Sequence, residues 1–493
     1  MKNNAVRFLS ALLCLLTAAS AAAACGEESS SPPPGAGSDE TTAVTEAETE
    51  PPSDLEIRAM TPDDLPESDF GGKAMRILAC DYAGIEFTAE EQTGDVIEDA
   101  VYARNRDVTE RFNFGIEHIL KPYGEVSQTL AKSVQSGDDA YDLVSNHVIE
   151  MGNCAMKGYL IDWGGLPHVD VSKPWWNSSS FENLSVHDRA FLLVGSLNTH
   201  FLKTTYCVYF NKRLVDNYGF GNMYRLVWDG KWTIDRQGEM ITGTWQDLNG
   251  NSKADVEDFF GASSNSTSYA TTYIYSSGLT TVSKDGEGIP VLDMDQDRFA
   301  LLTEKVYKLF YENGSFYCAT DWSTHGDIFR DKRGIFYNCT FSLALGALRE
   351  FDDDFGMIPY PKFDEAQEKY YSMSDGSHTI SGVPKTITDP EFVGVAAEAL
   401  CAEAWKQILP AMYEVALKTK FTRDSESIEM IDMINDNVIV DFGFVFADYN
   451  GMGFTLSNLI GSKKSDFASY YAKNSAKWEK QLAKVVASFE ENG

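Results

Sequence analysis

The chain has 493 residues, a formal net charge of −33 at pH 7 and a pI near 4.5. A polyanion would be repelled by such a field, so the charge argues against nucleic acid as a partner. The length exceeds what one compact core usually spans, and it predicts two lobes of roughly 200 residues each after processing.

The first 24 residues have the pattern of an export signal rather than of a membrane span. Lys2 and Arg7 give a positive start, an apolar run follows, and small residues lead to Ala24. The segment ends in Ala-Ala-Ala-Cys-Gly, which resembles the lipobox of bacterial lipoproteins. That resemblance implies a lipid on Cys25, the new N-terminus. Because Ala22 stands where the motif most often has Leu, ordinary cleavage after Ala24 is the alternative.

Residues 25–68 are rich in Ser, Thr, Pro, Gly, Asp and Glu, with Arg58 as the only cation. Such a composition cannot bury enough apolar surface to offset its ordering entropy. We therefore expect a disordered acidic tether without secondary structure. No later stretch has the unbroken apolar length that spans a bilayer.

Strands and helices alternate after the tether. Predicted strands cover 73–80, 114–120 and 141–145, and predicted helices cover 95–112 and 125–136. This alternation indicates an α/β fold with a mostly parallel sheet flanked by helices. Ligands bind beyond the carboxyl ends of such strands. This rule selects four residues that follow the first and third strands: Asp81, Tyr82, Asn146 and His147.

An apolar run from Tyr206 to Phe210 predicts a buried strand. Asn211 and two cations follow it at once. We interpret the run from Tyr206 to Leu214 as a crossing between the lobes, with a second crossing near 374–383. Apolar patterns over 390–420, 424–437 and 463–489 predict closing helices.

Several motifs, in order, resemble extracellular solute-binding proteins of the maltose-binding type, the receptors of ATP-driven (ABC) importers. They are Tyr141-Asp-Leu-Val, Gly158-Tyr-Leu-Ile-Asp-Trp, Val208-Tyr-Phe-Asn-Lys-Arg-Leu, Gly230-Lys-Trp-Thr-Ile-Asp, Asp331-Lys-Arg-Gly-Ile-Phe-Tyr and Phe355-Gly-Met-Ile-Pro-Tyr-Pro-Lys. The resemblance implies the two-lobe periplasmic-binding-protein fold with a cleft between the lobes. Lobe 1 would hold 69–203 and 374–425, and lobe 2 would hold 204–373 and 426–493.

One loop matches the twelve-residue calcium-binding pattern, in which alternate positions turn oxygens inward. Two departures are Ser252 in place of Gly at the turn and a final Asp in place of Glu. A polar turn without metal is the alternative, and bound calcium would be structural. The candidate ligands are Asp247, Asn249, Asn251, Lys253 through its carbonyl, Asp255 and Asp258.

Aromatic residues in loops suggest a carbohydrate site, because sugars offer flat C–H faces ringed by hydroxyls. Trp163 and Trp232 are assigned to the core, and core packing is also the alternative for every other Trp. The preferred candidates are Trp175, Trp176, Asp321 and Trp322. The resemblance adds the cleft-lining loop Asp375-Gly-Ser-His378, Asn338 on a preceding strand, and Tyr206 at the crossing.

The remaining cysteines show no metal spacing, so buried thiols are expected, with a Cys318–Cys339 bridge as the alternative. No catalytic motif for a serine hydrolase, zinc peptidase or phosphate loop is present. Two carboxylates suffice for a glycosidase, however, so a carbohydrate-active hydrolase stays open.

We therefore expect a non-enzymatic, monomeric receptor on the extracellular face of the cytoplasmic membrane, anchored by lipid. It would deliver a carbohydrate to the permease subunits of an ABC importer by lobe closure, with no organic cofactor. The alternatives are the hydrolase, a receptor for another polar solute, and an adhesion or structural lipoprotein without a small-molecule cleft.

Overall fold

The computed structural model describes residues 54–264, 267–319, 326–348, 350–418, 425–446 and 451–492. The signal segment, Cys25, most of the tether, Asp321 and Trp322 lie outside these ranges. Within them, no helix combines the length and the apolar character needed to cross a membrane.

The strands found in these ranges are short and mostly buried. They are β1 (Lys73–Cys80), β2 (Phe114–Lys121), β3 (Leu143–His147), β4 (Leu160–Ile161), β5 (Tyr206–Asn211), β6 (Phe260–Ser264), β7 (Val282–Lys284), β8 (Pro290–Leu292), β9 (Phe316–Cys318), β10 (Gly334–Thr340), β11 (Phe355–Ile358) and β12 (Thr379–Pro384).

Helices separate most of these strands. They are α1 (Asp54–Met60), α2 (Val96–Phe112), α3 (Tyr123–Ser136), α4 (Val148–Met156), α5 (Ser178–Leu184), α6 (Thr199–Lys203), α7 (Lys212–Asn217), α8 (Met223–Trp228), α9 (Ile234–Ile241), α10 (Thr272–Ser276), α11 (Gln296–Tyr307), α12 (Asp327–Arg330), α13 (Ser342–Leu345), α14 (Pro390–Glu403), α15 (Leu409–Lys418), α16 (Ser425–Asp436), α17 (Phe442–Val445), α18 (Thr455–Gly461) and α19 (Phe467–Asn492).

Two five-stranded sheets organise the molecule into two lobes. The sheet of lobe 1 has the order β2-β1-β3-β12-β4, and β1 runs parallel to both β2 and β3. The sheet of lobe 2 has the order β11-β5-β10-β6-β9, in which β10 is parallel to β6 and antiparallel to β5. The predicted α/β class with flanking helices is confirmed, although both sheets are mixed.

Helix α2 shows why the sequence pattern was informative. The Asp95 carboxylate accepts hydrogen bonds from the first-turn amides and caps the helix. Its buried face carries Val101, Val108 and Phe112, and Asn113 ends it in the left-handed conformation with φ 51°. The predicted strands and helices of lobe 1 are confirmed to within a few residues.

The start of the folded body is a correction. Residues 54–60 form α1, although no secondary structure was predicted before residue 69. Asp63 is ion-paired with Arg111, and Asp64 with Lys173, so the segment is held against lobe 1. The average composition of residues 25–68 does not reveal these ion pairs, which is why the ordered end of the tether was not predicted.

The two crossings between the lobes lie side by side. The Tyr206 amide donates to the Met373 carbonyl at 3.0 Å, and the Asp375 amide donates to the Thr204 carbonyl at 2.9 Å. Strand β5 is buried along its whole length in lobe 2. The predicted strand at Tyr206–Phe210 is confirmed, and the chain returns to the sheet of lobe 1 at β12.

The closing helices also follow the prediction, with one difference. Pro410 interrupts the apolar pattern that starts at Pro390 and predicts a break there. The run instead divides into α14, a π-helical turn at Ala404–Ile408 and α15, so the break precedes Pro410. The six described cysteines are free thiols, and Cys318 is not bridged to Cys339.

Candidate functional site

Aromatic and imidazole side chains gather where β1, β2 and β3 end and where the crossings begin. Tyr82 lies in the turn after β1, Tyr123 opens α3 after β2, and His147 ends β3. Their rings connect to the crossing residues through short contacts. We call this set the cleft cluster, and it comprises Tyr82, Tyr123, His147, His200, Tyr206, Asp375 and His378.

The exposed part of the cleft cluster consists of two tyrosines. Tyr82 is 37% exposed and Tyr123 is 47% exposed. Their ring centroids are 6.3 Å apart; Tyr82 also packs on His200 at 5.1 Å, and Tyr123 stacks on His147 at 5.5 Å. The Tyr82 hydroxyl donates to the Ser377 carbonyl at 2.8 Å, which holds its ring in place. The tyrosines offer fixed apolar faces bordered by polar groups.

The inner part of the cleft cluster is a hydrogen-bonded group at the crossings. The Tyr206 hydroxyl donates to Asp375 Oδ2 at 2.6 Å, and Asp375 Oδ1 accepts from the Ser377 amide and hydroxyl. Because a carbonyl only accepts, His378 Nδ1 carries the proton in its 2.7 Å bond to the Asp375 carbonyl. His378 Nε2 is then an acceptor, and it has no hydrogen-bond partner among the described residues.

The imidazoles of the cleft cluster are neutral near pH 7. Burial lowers the pKa of His147, and it lowers the pKa values of His200 and His378 to about 4. Asp375 therefore supplies the negative charge among aromatic and neutral groups. Such a lining suits a ligand rich in hydroxyls rather than a strongly charged one.

The depressed pKa of His378 predicts a pH dependence of stability. An unperturbed His titrates near pH 6.5, whereas His378 in the folded protein has a pKa of about 4. Between these pH values the unfolded chain binds the proton and the folded protein does not, so stability is greatest above pH 6.5 and is lost as pH falls towards 4. Between pH 7 and pH 5 the free energy of unfolding should fall on the order of 2 kcal/mol further in the wild type than in His378→Gln. Urea unfolding at both pH values measures this, and parallel losses in the two proteins would contradict it.

Comparisons with known proteins were made by sequence and by structure. No protein-family model matches the chain, and no curated protein matches it by sequence. Solved structures do match. The galacto-N-biose-/lacto-N-biose I-binding protein of the ABC transporter from Bifidobacterium longum has a TM-score of 0.53 at 12% identity, covering 86% of this chain and 99% of its own. The chain shares the fold of this solute-binding protein.

Two further solute-binding structures give a similar match. The GacH receptor of Streptomyces glaucescens, solved with acarbose, has a TM-score of 0.51 at 11% identity, covering 85% of this chain and 98% of its own. UgpB from Mycobacterium tuberculosis, solved with glycerophosphocholine, has a TM-score of 0.50 at 14% identity, and the match covers 86% of this chain and 98% of UgpB. Identities this low establish the solute-binding fold and leave the ligand to the residues of this chain.

Trp175 and Trp176 lie in the core of lobe 1 rather than in the cleft cluster. They are 1% and 5% exposed. Each indole N–H donates to the buried carboxylate of Glu398 at 2.8 Å. Burial against α14 leaves neither ring with a free face for a sugar in the cleft. Trp163 and Trp232 are fully buried, which confirms their assignment to the core.

The remaining predicted contacts divide by position. Asp81 is exposed at the end of β1. Asn146 is buried and donates to the Tyr123 carbonyl at 3.0 Å, so it positions Tyr123. Asn338 is buried in lobe 2, where it donates to the Tyr273 hydroxyl and accepts from Gln237, so it does not face the cleft cluster.

Sequence reasoning missed three residues of this region. Tyr123 follows β2, and the rule for strand ends applied there would have selected it. His200 lies on α6, which has only five residues and is too short to show a helical period in the sequence. Tyr269 in lobe 2 is buried and packs on Tyr206 at 4.8 Å, so it connects the cleft cluster to the second lobe.

The calcium-like loop folds as a compact set of polar turns. Asp247 accepts from the amides of Gly250 and Ser252, and buried Asp258 accepts from the Leu248 and Asp255 amides. Ser252 adopts the left-handed conformation with φ 60°, as the missing glycine would. Within the described ranges no group of three or more His, Cys, Asp or Glu is arranged to hold a metal. That criterion does not count the Asn249 and Asn251 side-chain oxygens or the Lys253 carbonyl, so the calcium site stays a prediction.

Calcium binding to this loop has a direct test. If it binds, chelator-stripped protein should gain a few degrees in melting temperature on adding calcium, because a ligand of the folded state stabilises it. Asp247→Ala should abolish that gain, and Ser252→Gly should preserve it. A melting temperature unaffected by calcium, with no heat in calorimetry, would leave the loop as a polar turn.

Proposed function

We propose that the protein is a lipid-anchored extracellular receptor that captures a carbohydrate for an ABC importer. The observation that carries the proposal is the cleft cluster, which combines two exposed tyrosine rings with fixed polar groups where the lobes join. The solute-binding fold supports it, because ligands of such α/β lobes bind beyond the strand ends. Cys25, with the lipobox-like sequence before it, supports the anchor.

Capture would occur by closure of the lobes. Tyr82, Tyr123 and His378 belong to lobe 1 or its crossing, whereas Tyr206 and Tyr269 connect the cleft cluster to lobe 2. A ligand that contacts both sides stabilises the closed state by its differential affinity for that state. The paired crossings next to Tyr206 are where rotation of the lobes would be accommodated.

The arrangement favours binding over hydrolysis. Glycoside hydrolysis needs two carboxyl groups facing one bond, about 5–10 Å apart. In the cleft cluster, both oxygens of Asp375 already accept hydrogen bonds. Glu86, behind His200, is fully buried, and its carboxylate accepts from the His200 amide and from Thr379. Because Glu86 is fully buried, this part of the chain does not present two carboxyl groups to one glycosidic bond.

A second polar solute fits the same lining. Tyrosine faces beside a carboxylate also bind quaternary ammonium groups, through cation–π attraction. A structural neighbour, UgpB, was solved with glycerophosphocholine. Choline-bearing solutes are therefore the second candidate class.

A ligand panel separates these functions. Purified protein is titrated with maltose, lactose, cellobiose, xylobiose and glycerophosphocholine, while thermal shift and release of reducing ends are followed. Saturable stabilisation by a saccharide without turnover is expected. Stabilisation by glycerophosphocholine alone would replace carbohydrate with the second class, and released reducing ends would overturn the receptor.

A further inference from the structure

A second cavity, distinct from the cleft cluster, lies against the C-terminal helices. Its volume is about 430 Å³, within the range of small-molecule sites. The segments around Trp176 and Ser196 form one wall, and Trp405, Asp436 and Arg58 of α1 form the others. We call it the rear cavity.

The lining of the rear cavity mixes apolar faces with one cationic and one acidic side chain. The Arg58 guanidinium stacks on the Trp405 ring at 4.6 Å and donates to the Trp405 carbonyl at 3.4 Å. Asp436 supplies the opposite charge on the facing helix α16. Amide and hydroxyl groups of Asn177, Ser196 and Asn435 complete the polar part. One cation and one anion balance, so the lining suits a neutral ligand with several hydroxyls.

Helix α6 lies between the rear cavity and the cleft cluster. Thr199, Phe201 and Leu202 line the cavity. From the same helix, the His200 ring packs on Tyr82 at 5.1 Å, and the Phe201 ring meets His378 edge-on at 5.1 Å. A molecule bound in the rear cavity would contact α6 and so restrict the positions of His200 and Phe201, which pack on Tyr82 and His378 of the cleft cluster.

We propose that the rear cavity is a second binding site, for a neutral saccharide of one or two rings, coupled to the cleft through α6. Trp175 and Trp176, which pack in the core of lobe 1, form the base of one wall of this cavity. Their indole bonds to Glu398 keep that wall rigid. The rear site itself does not depend on the identity of the cleft ligand, whereas its coupling rests on the proposed function of the cleft.

Calorimetric titration with glucose, maltose, lactose and cellobiose tests the proposal. Ser196→Trp fills the cavity, and Ser462→Trp is the matched control on an exposed serine outside it. Tyr82→Ala with Tyr123→Ala weakens binding at the cleft without altering the rear cavity. The cleft double variant should retain one saccharide site, Ser196→Trp should lose that site, and Trp405→Ala should weaken it at least fivefold. Coupling predicts that Ser196→Trp also changes the cleft affinity at least threefold relative to Ser462→Trp.

The two sites fail separately in this design. If Ser196→Trp and Ser462→Trp bind every sugar with equal stoichiometry and affinity, the rear cavity is overturned while the cleft stands. If the cleft double variant binds as the wild type does but Ser196→Trp does not bind, the cleft proposal fails while the rear site stands. Absence of any saccharide bound to the cleft double variant also overturns the rear site.

Discussion

Replacing Glu398 with alanine is expected to lower the free energy of unfolding by about 3–5 kcal/mol. The carboxylate is fully buried and accepts from both the Trp175 and Trp176 indoles at 2.8 Å. Alanine would leave both indole donors unpaired, at about 1–3 kcal/mol each, and would open a cavity beside them. Urea unfolding followed by tryptophan fluorescence measures the loss.

Two controls show whether the loss comes from these hydrogen bonds. Glu398→Gln keeps the shape and one acceptor oxygen, so it should cost about 1–2 kcal/mol. Glu391 lies on the same helix, and its carboxylate is exposed and bonded to His168 at 2.6 Å. Glu391→Ala should change stability by less than about 0.5 kcal/mol. If Glu398→Ala is no more destabilised than Glu391→Ala, the indole pair does not depend on this acid.

Removing both exposed rings of the cleft cluster should have the largest effect on binding. Tyr82→Ala with Tyr123→Ala is expected to weaken the cleft affinity for a saccharide by roughly 10- to 100-fold, because two ring faces are lost from a partly desolvated site. Calorimetry on the folded variant measures the change. The single variants should each lose less than the pair.

The matched control removes a tyrosine of the same lobe outside the cleft cluster. Tyr102 lies on α2 and is half-buried. Tyr102→Ala should leave the affinity within about twofold of the wild type, since the residue has no place in the cleft lining. Equal losses in Tyr102→Ala and in the double variant would mean that the cleft tyrosines act only through stability.

Local patterns were sufficient for the elements that position the site. Strand β1 was predicted from a short, largely apolar stretch closed by a polar turn, the strand at Tyr206 from a continuous apolar run, and α2 from its apolar period and acidic start. Tyr82 and His147 were selected by their place after strands of a parallel sheet. These features depend on a few neighbouring residues, which is why one sequence reveals them.

Features that depend on distant residues were not predicted. Trp175 and Trp176 have the composition of a sugar site, but their partner Glu398 is more than 200 residues away. An acid within the apolar run of α14 was the one local sign that a buried polar group needed partners. The ordered segment after residue 54 likewise depends on Arg111 and Lys173, which composition cannot reveal.

A crystal structure with the saccharide that gives the largest thermal shift tests the receptor most directly. The account predicts an intact sugar between the lobes, with a ring face against Tyr82 or Tyr123. Contacts from lobe 2 near Tyr269 should complete the site. A sugar bound only outside the cleft cluster, or a cleaved product within it, would contradict the account.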